Sequence, residues 1–164
     1  AETRARGVRN RPMMTKELAG ARDRINSLLA RVAEIDDAEM QSHWARYLCV
    51  LVCGFLEVAV AELFMQYAEN RAEPKVARFV AKHLRRFQNP KMARILTVIG
   101  EFSTEWRDEI ELATNGQLAD AVNSVVANRH LIAHGRSVGI SYVRVKDYFA
   151  SVLKVVELLD AQLA

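Results

Sequence analysis

Apolar residues recur along this chain at intervals of three and four, the period of helices that bury one face. Leu18, Ile25, Leu28, Leu29, Val32 and Ile35 mark a first helix, with Thr15 as its N-cap and Asp36 and Asp37 as its break. A second helix runs from about Ala38 to Asn70. It is the most apolar segment and belongs at the centre of the fold. Pro74 suits the first turn of a third helix that reaches about Phe87. Its apolar side reads Val76, Phe79, Val80, Leu84 and Phe87; its other side reads Lys75, Arg78, Lys82, Arg85 and Arg86. Pro90 restarts the chain for a fourth helix to about Ser103 or beyond. The pattern leaves open whether 104–114 continues that helix or forms a loop anchored by Trp106. Asn115-Gly116 signals a turn. A fifth helix, about 117–134, has Leu118, Val122, Val125, Val126 and Ile132 as its apolar side, and Gly135 fits the left-handed position past its end. Ser141 caps a last helix, about 142–163. No strand-like alternation persists. The expectation is an all-α, single-domain bundle of five or six helices over residues 13–164.

Composition narrows the class. Hydrophobic residues make up 51% of 164, enough to bury a core without staples, and Gly and Pro number only 7 and 3. The net charge is +3, so the arrangement of charge says more than its sum. Residues 1–12 carry Arg4, Arg6, Arg9 and Arg11 without apolar periodicity and are expected to be a disordered basic arm. The N-terminus lacks the apolar core of a signal peptide. Cys49 and Cys53 lie at helical spacing in an apolar run and read as reduced, buried thiols of a cytoplasmic protein. Residues 47–65 are long enough to span a bilayer, but Glu57 and Glu62 fall inside the stretch, which favours a buried core helix and no membrane.

Candidate chemistry concentrates in NRHLIAHGRS, residues 128–137, which holds two of the four histidines. Three readings compete. In the first, Arg129, His130 and His134 only complement the dipole and free carbonyls of a helix end. In the second, His130 and His134, four apart, ligate zinc; but HExxH needs Glu where Leu131 stands, and no further ligands cluster nearby in sequence. The third needs no metal and no cofactor. RNA is cut when its 2′-hydroxyl attacks the adjacent phosphate, which calls for a base, a cation for the extra negative charge, and an acid for the leaving 5′-oxygen. Histidine titrates near neutrality and serves as either base or acid. Arginine holds its proton and offers phosphate a planar fork. Arg129 and His134 supply both chemistries, although five residues advance about 500° along a continuous helix, so the two are not quite on one side.

The order Arg129, polar His130, then His134 and Gly135 at the end of a late helix resembles the HEPN superfamily. The phrase VVANRHLIAHGRSVGISYVRVKDYFASVLKVVELLD looks most like its branch associated with ribosomal L-PSP proteins. The likeness is good over about 117–160 and fair over 40–70, where the apolar helix with Glu57 is similar to that branch's early core helix. The resemblance implies a small helical bundle that dimerises so that two motifs face one cleft. It implies a metal-independent ribonuclease of toxin–antitoxin, phage-defence or RNA-processing systems. It makes Arg129 and His134 catalytic, with His130 assisting, and brings RNA, a second copy of the chain and an antitoxin or defence partner as expected partners. A toxin branch paired with nucleotidyltransferase antitoxins carries a modified Tyr two residues after the His. Arg136 stands there in this chain, which argues against that regulation and suggests a further phosphate contact.

Two features outside the motif bear on the choice. Residues 71–94 hold Arg71, Lys75, Arg78, Lys82, Arg85, Arg86, Lys91 and Arg94 against Glu73 alone. The run reads either as a solvated helix face, although such a face usually mixes signs, or as a track for a phosphate backbone, with Lys75, Arg78, Lys82, Arg85 and Arg86 as RNA-binding candidates. Glu57, in an apolar helix, needs a partner: Arg129, which it would orient, another Arg, or solvent. The leading expectation is a HEPN ribonuclease. A non-catalytic HEPN module binding RNA or a protein is the alternative, and a plain helical interaction protein is the third.

Overall fold

The computed structural model describes residues 14–164, so the basic arm at 1–12 lies outside the described residues. Seven helices follow: α1 (Lys16–Ala33), α2 (Ala38–Arg71), α3 (Pro74–Leu84), α4 (Met92–Phe102), α5 (Thr104–Thr114), α6 (Gln117–Ala133) and α7 (Tyr142–Leu163). The expected count of five or six is one short because 104–114 is a helix of its own. Ser103 is extended, at φ −159° and ψ 125°, and breaks the periodicity; its hydroxyl then accepts from the Trp106 N–H and caps α5. Trp106 anchors no loop. It packs edge-on against Tyr67, with ring centroids 5.3 Å apart.

Helix α2 forms the axis, with α1, α3, α6 and α7 packed along it. Leu48, Val52, Leu56, Val60 and Leu63 on α2 are fully buried, against Ile95 and Ile99 of α4, Val122 and Val125 of α6, and Val152 and Val155 of α7. Among the described residues α2 is also the one helix long and apolar enough to cross a membrane. The two carboxylates within its apolar stretch, Glu57 and Glu62, have work inside the bundle. Glu62 accepts from the hydroxyl of Thr15 (2.9 Å), which itself caps α1 by accepting from the Leu18 N–H. Glu57 accepts from the Asn89 backbone N–H at 3.0 Å. Both acids thus tie neighbouring segments to the axis, which is what a core helix asks of its polar residues.

Helix α3 departs from its expected face. Only Ala77 and Leu84 are buried on it, while Phe79 is 74% exposed and Val76 52%. The chain leaves helical geometry at Arg85 and Arg86, so Phe87 is buried from a loop rather than from the helix. Packing through small Ala77 brings α3 onto α2 along a narrow line. Phe79, two residues on, is carried about 200° round to the solvent side.

Cys49 and Cys53 are free and buried, and the Cys49 thiol points at the Val125 carbonyl oxygen, 3.7 Å away. Burial pushes Cys49 up to about 12, with Cys53 adding to it. Burial likewise pushes Cys53 up to about 11, against the pull of the Arg129 charge and with the push of Glu57. Thiols held neutral are poor nucleophiles. In a thiol-reagent assay near neutral pH the folded protein should react at neither cysteine and the denatured protein at both. Folded-state values above the ordinary 9.0 also fix the sign of a linkage: the contribution to stability is whole below pH 9 and is lost as pH rises towards 11 and 12. Urea midpoints across that range should fall with pH.

Candidate functional site

The motif closes α6. His134 is the C-cap, at φ −93° and ψ 15°, and Gly135 follows in the left-handed region at φ 67°. The Gly135 N–H donates to the Ile132 carbonyl and the Arg136 N–H to that of Leu131, both at 3.0 Å. These are the two reverse bonds of a Schellman turn. A side chain at 135 would cost about 1–2 kcal/mol in backbone strain. The turn redirects the chain, and burial of Val138 and Ile140 seats the loop that follows. The Arg46 guanidinium donates to the Val138 carbonyl (3.3 Å) from α2, and the Tyr142 hydroxyl to that of Leu29 (3.0 Å). His134 is therefore exposed yet held by a loop fastened at several points.

His130 and His134 share one side of the helix end, both exposed, with ring centroids 4.4 Å apart at 63°. Arg129 is half-buried and turned towards α2, where its charge reaches Cys53. The offset expected from the spacing is present: the imidazoles face solvent and the guanidinium faces the axis. Arg129 makes no hydrogen bond or ion pair with any described residue. The expected partnership with Glu57 does not form. Glu57 spends its carboxylate on the Asn89 N–H, and both charges lie near Cys53 without closing on each other. Among the described residues no three His, Cys, Asp or Glu side chains gather as a metal site.

A groove of about 630 Å³ runs beside the motif, lined by His130 and Leu131 of α6 with Lys91 and Arg94 at the start of α4. Two hydrogen bonds put those cations there. Glu57 holds Asn89, whose φ of 55° an Asn tolerates, and the Met92 N–H donates to the Asn123 side-chain oxygen of α6 at 2.9 Å. Lys91 caps α4 with no side-chain bond of its own, so Asn123 satisfies an amide that would otherwise be orphaned. Asn123 went unremarked in the sequence. The lone signal was a polar residue seven before His130, hence on the same helix side, and that becomes informative only once α4 is known to start there.

The cations of α3 are exposed, as a phosphate track requires, but they are not all at the motif. Arg86 shares with Arg94 a second groove of about 320 Å³ between α3 and α4. Lys75, Arg78, Lys82 and Arg85 line neither groove. Arg136 is exposed just past the turn. Arg94, common to both grooves, links the motif to the basic helix.

A family model described as RiboL-PSP-HEPN matches residues 16–164, from the first residue of α1 to the chain end. The chain belongs to the RiboL-PSP-HEPN family. The match takes in α1, which the sequence resemblance did not reach. No curated protein and no solved structure matches this HEPN chain at a significant level. Family and fold agree: an all-helical domain with Arg129, His130 and His134 at the end of its penultimate helix. Membership points to a nuclease or an RNA-binding module.

Proposed function

We propose that this HEPN protein is a metal-independent endoribonuclease acting in the cytoplasm, in a toxin–antitoxin or phage-defence setting. The observation that supports the reading is a half-buried guanidinium, Arg129, that pairs with no described residue and shares the last turn of its helix with two exposed imidazoles. A merely structural arginine in that position would be expected to bond the last carbonyls of its helix. The reaction needs no outside reagent. A His134 imidazole takes the 2′-hydroxyl proton, the 2′-oxygen bonds to phosphorus, and Arg129 holds the added negative charge. The bond from phosphorus to the 5′-oxygen breaks, and a second imidazole protonates that oxygen. The products are a 2′,3′-cyclic phosphate and a free 5′-hydroxyl. In a homodimer with a shared cleft the second imidazole is the partner's His134, and His130 orients or polarises the first. Lys91, Arg94 and Arg136 bind the phosphates on either side, and Glu57 acts by holding the loop that carries Lys91.

The alternative is a HEPN module that binds RNA or a protein without cutting, and it predicts the same basic surface. Cleavage of mixed cellular RNA in excess EDTA separates the two. The wild type should leave cyclic-phosphate ends with EDTA present, and His134→Ala should leave RNA whole. Cleavage abolished by EDTA would revive a metal route. RNA left whole by the wild type would favour the module.

A further inference from the structure

The phosphate-binding surface accounts for the cations of α3 but not for the aromatic set among them. Phe79 is 74% exposed, the large aromatic most open to solvent in the described residues. It lies opposite the buried Ala77 and Leu84, on the side where positions 75, 79 and 82 recur at intervals of four and three. Its neighbours on that outward row are therefore Lys75 and Lys82, both exposed, with half-exposed Val76 one turn before it; Arg86, also exposed, follows in the turn past the helix end. A lone exposed hydrophobic needs no explanation. An aromatic centred in a row of cations is a different composition, because a nucleic acid strand carries both a negative backbone and apolar base faces. The row also leads somewhere. Arg86 meets Arg94 in the groove between α3 and α4, and Arg94 lines the groove that holds His130.

We infer that Phe79 is a base-stacking residue for single-stranded RNA, which enters along the outward face of α3 and passes Arg86 and Arg94 to reach the motif. The inference rests on the proposed RNA chemistry and adds to it the strand state of the substrate and its direction of approach. Cations alone bind duplex and single strand alike, whereas a stacking platform needs unpaired bases. RNA bound here is thus selected for unpaired segments on the α3 side of the cut.

The test uses the full chain carrying His134→Ala, so that RNA is bound and not cut, with a short fluorescent single-stranded RNA and the same sequence as a duplex. Phe79→Ala should weaken single-strand binding roughly ten- to a hundredfold and leave duplex binding nearly unchanged. Its salt dependence should stay that of the parent, since no charge is lost, whereas Lys82→Ala should lower the slope by about one. Phe79→Trp should restore affinity and show fluorescence quenching on RNA addition beyond any from Trp44 and Trp106. Melting should hardly move, because Phe79 is largely exposed. Unchanged single-strand affinity in Phe79→Ala would overturn the stacking role while leaving the ribonuclease reading intact. Equal losses on single strand and duplex would also overturn it. Absence of RNA binding in the parent, with binding to phosphatidylglycerol vesicles lost in Phe79→Ala, would make α3 a membrane-surface helix and end both readings.

Discussion

Arg129→Lys should lower kcat/KM for RNA cleavage by about 10²–10³-fold, and His134→Ala by about 10²–10⁴-fold, with little change in melting temperature. The first figure is the usual cost of removing one preorganised donor to a charge that develops in the transition state. The second is the usual worth of a general acid or base. Lysine keeps the charge but loses the planar fork that spans two phosphate oxygens, so the conservative change is the informative one. Stability should hold because Arg129 has no ion pair among the described residues to lose and the His134 ring is exposed. The bonds that close the turn at 134–136 are all made by backbone atoms and survive both changes. If the residues work as a unit, the double variant should be hardly slower than the worse single one. A drop in melting temperature that tracks the loss of activity would return the motif to the structural reading. Full activity in Arg129→Lys would show that the fork is not used.

The helices of this domain were readable because most carry their own stop and start signals. Thr15, Asp37 and Ser141 cap as their residue types suggest, each side chain accepting a backbone N–H three residues on. Pro74 starts α3, and Gly135 ends α6 in the left-handed region. The failure at 104–114 came where the pattern of apolar spacing carried across a break. Ser103 was the signal, and it was outweighed by a Trp three residues later that could serve a loop or a helix equally well. The misplaced face of α3 has another origin. Periodicity says which residues share a side, not which side the rest of the protein will cover. With Ala77 and Leu84 pressed to α2, an apolar Phe79 had to face water.

The site was legible in the same uneven way. Arg129, His130 and His134 are close in sequence, and a short segment fixes most of their geometry. The groove beside them is not local. It is built where α4 starts against α6, from Lys91 and Arg94 on one side and His130 on the other. The residues that hold it together are Glu57 and Asn123, acting through backbone amides at Asn89 and Met92. An amide has no residue identity, so no pairing of side-chain types could have revealed either bond. Glu57, a carboxylate in an apolar helix, calls for Arg129, another Arg or solvent as its partner, and a backbone amide is none of these.

If the protein is the homodimeric ribonuclease proposed above, Gly54→Arg should convert it into a stable monomer and lower cleavage at least a hundredfold. Gly54 lies mid-helix in α2, where glycine costs about 0.5–1 kcal/mol relative to alanine. Nothing inside the protomer requires it, since a Cβ built there meets no atom within 4 Å and the position is exposed. With Tyr47 and Val58, about half exposed at 51% and 48%, it lines an apolar groove of about 560 Å³ between α1 and α2. Position 54 follows by one Cys53, which feels the Arg129 charge, so the bare face is about 100° round α2 from the side turned to Arg129. A second copy packed on that face would have its backbone admitted closely by the glycine and would bring a second motif towards the first. Arginine there removes the close approach without harming the fold, so sedimentation should report a monomer that melts no lower than the parent. Gly54→Ala sharpens the point, because the two effects have opposite signs: the protomer gains helix propensity while the dimer weakens. Loss of activity together with loss of the dimer would support a cleft that needs an imidazole from each chain. A wild-type protein that is monomeric and active would overturn it and leave His130 as the second imidazole within one protomer.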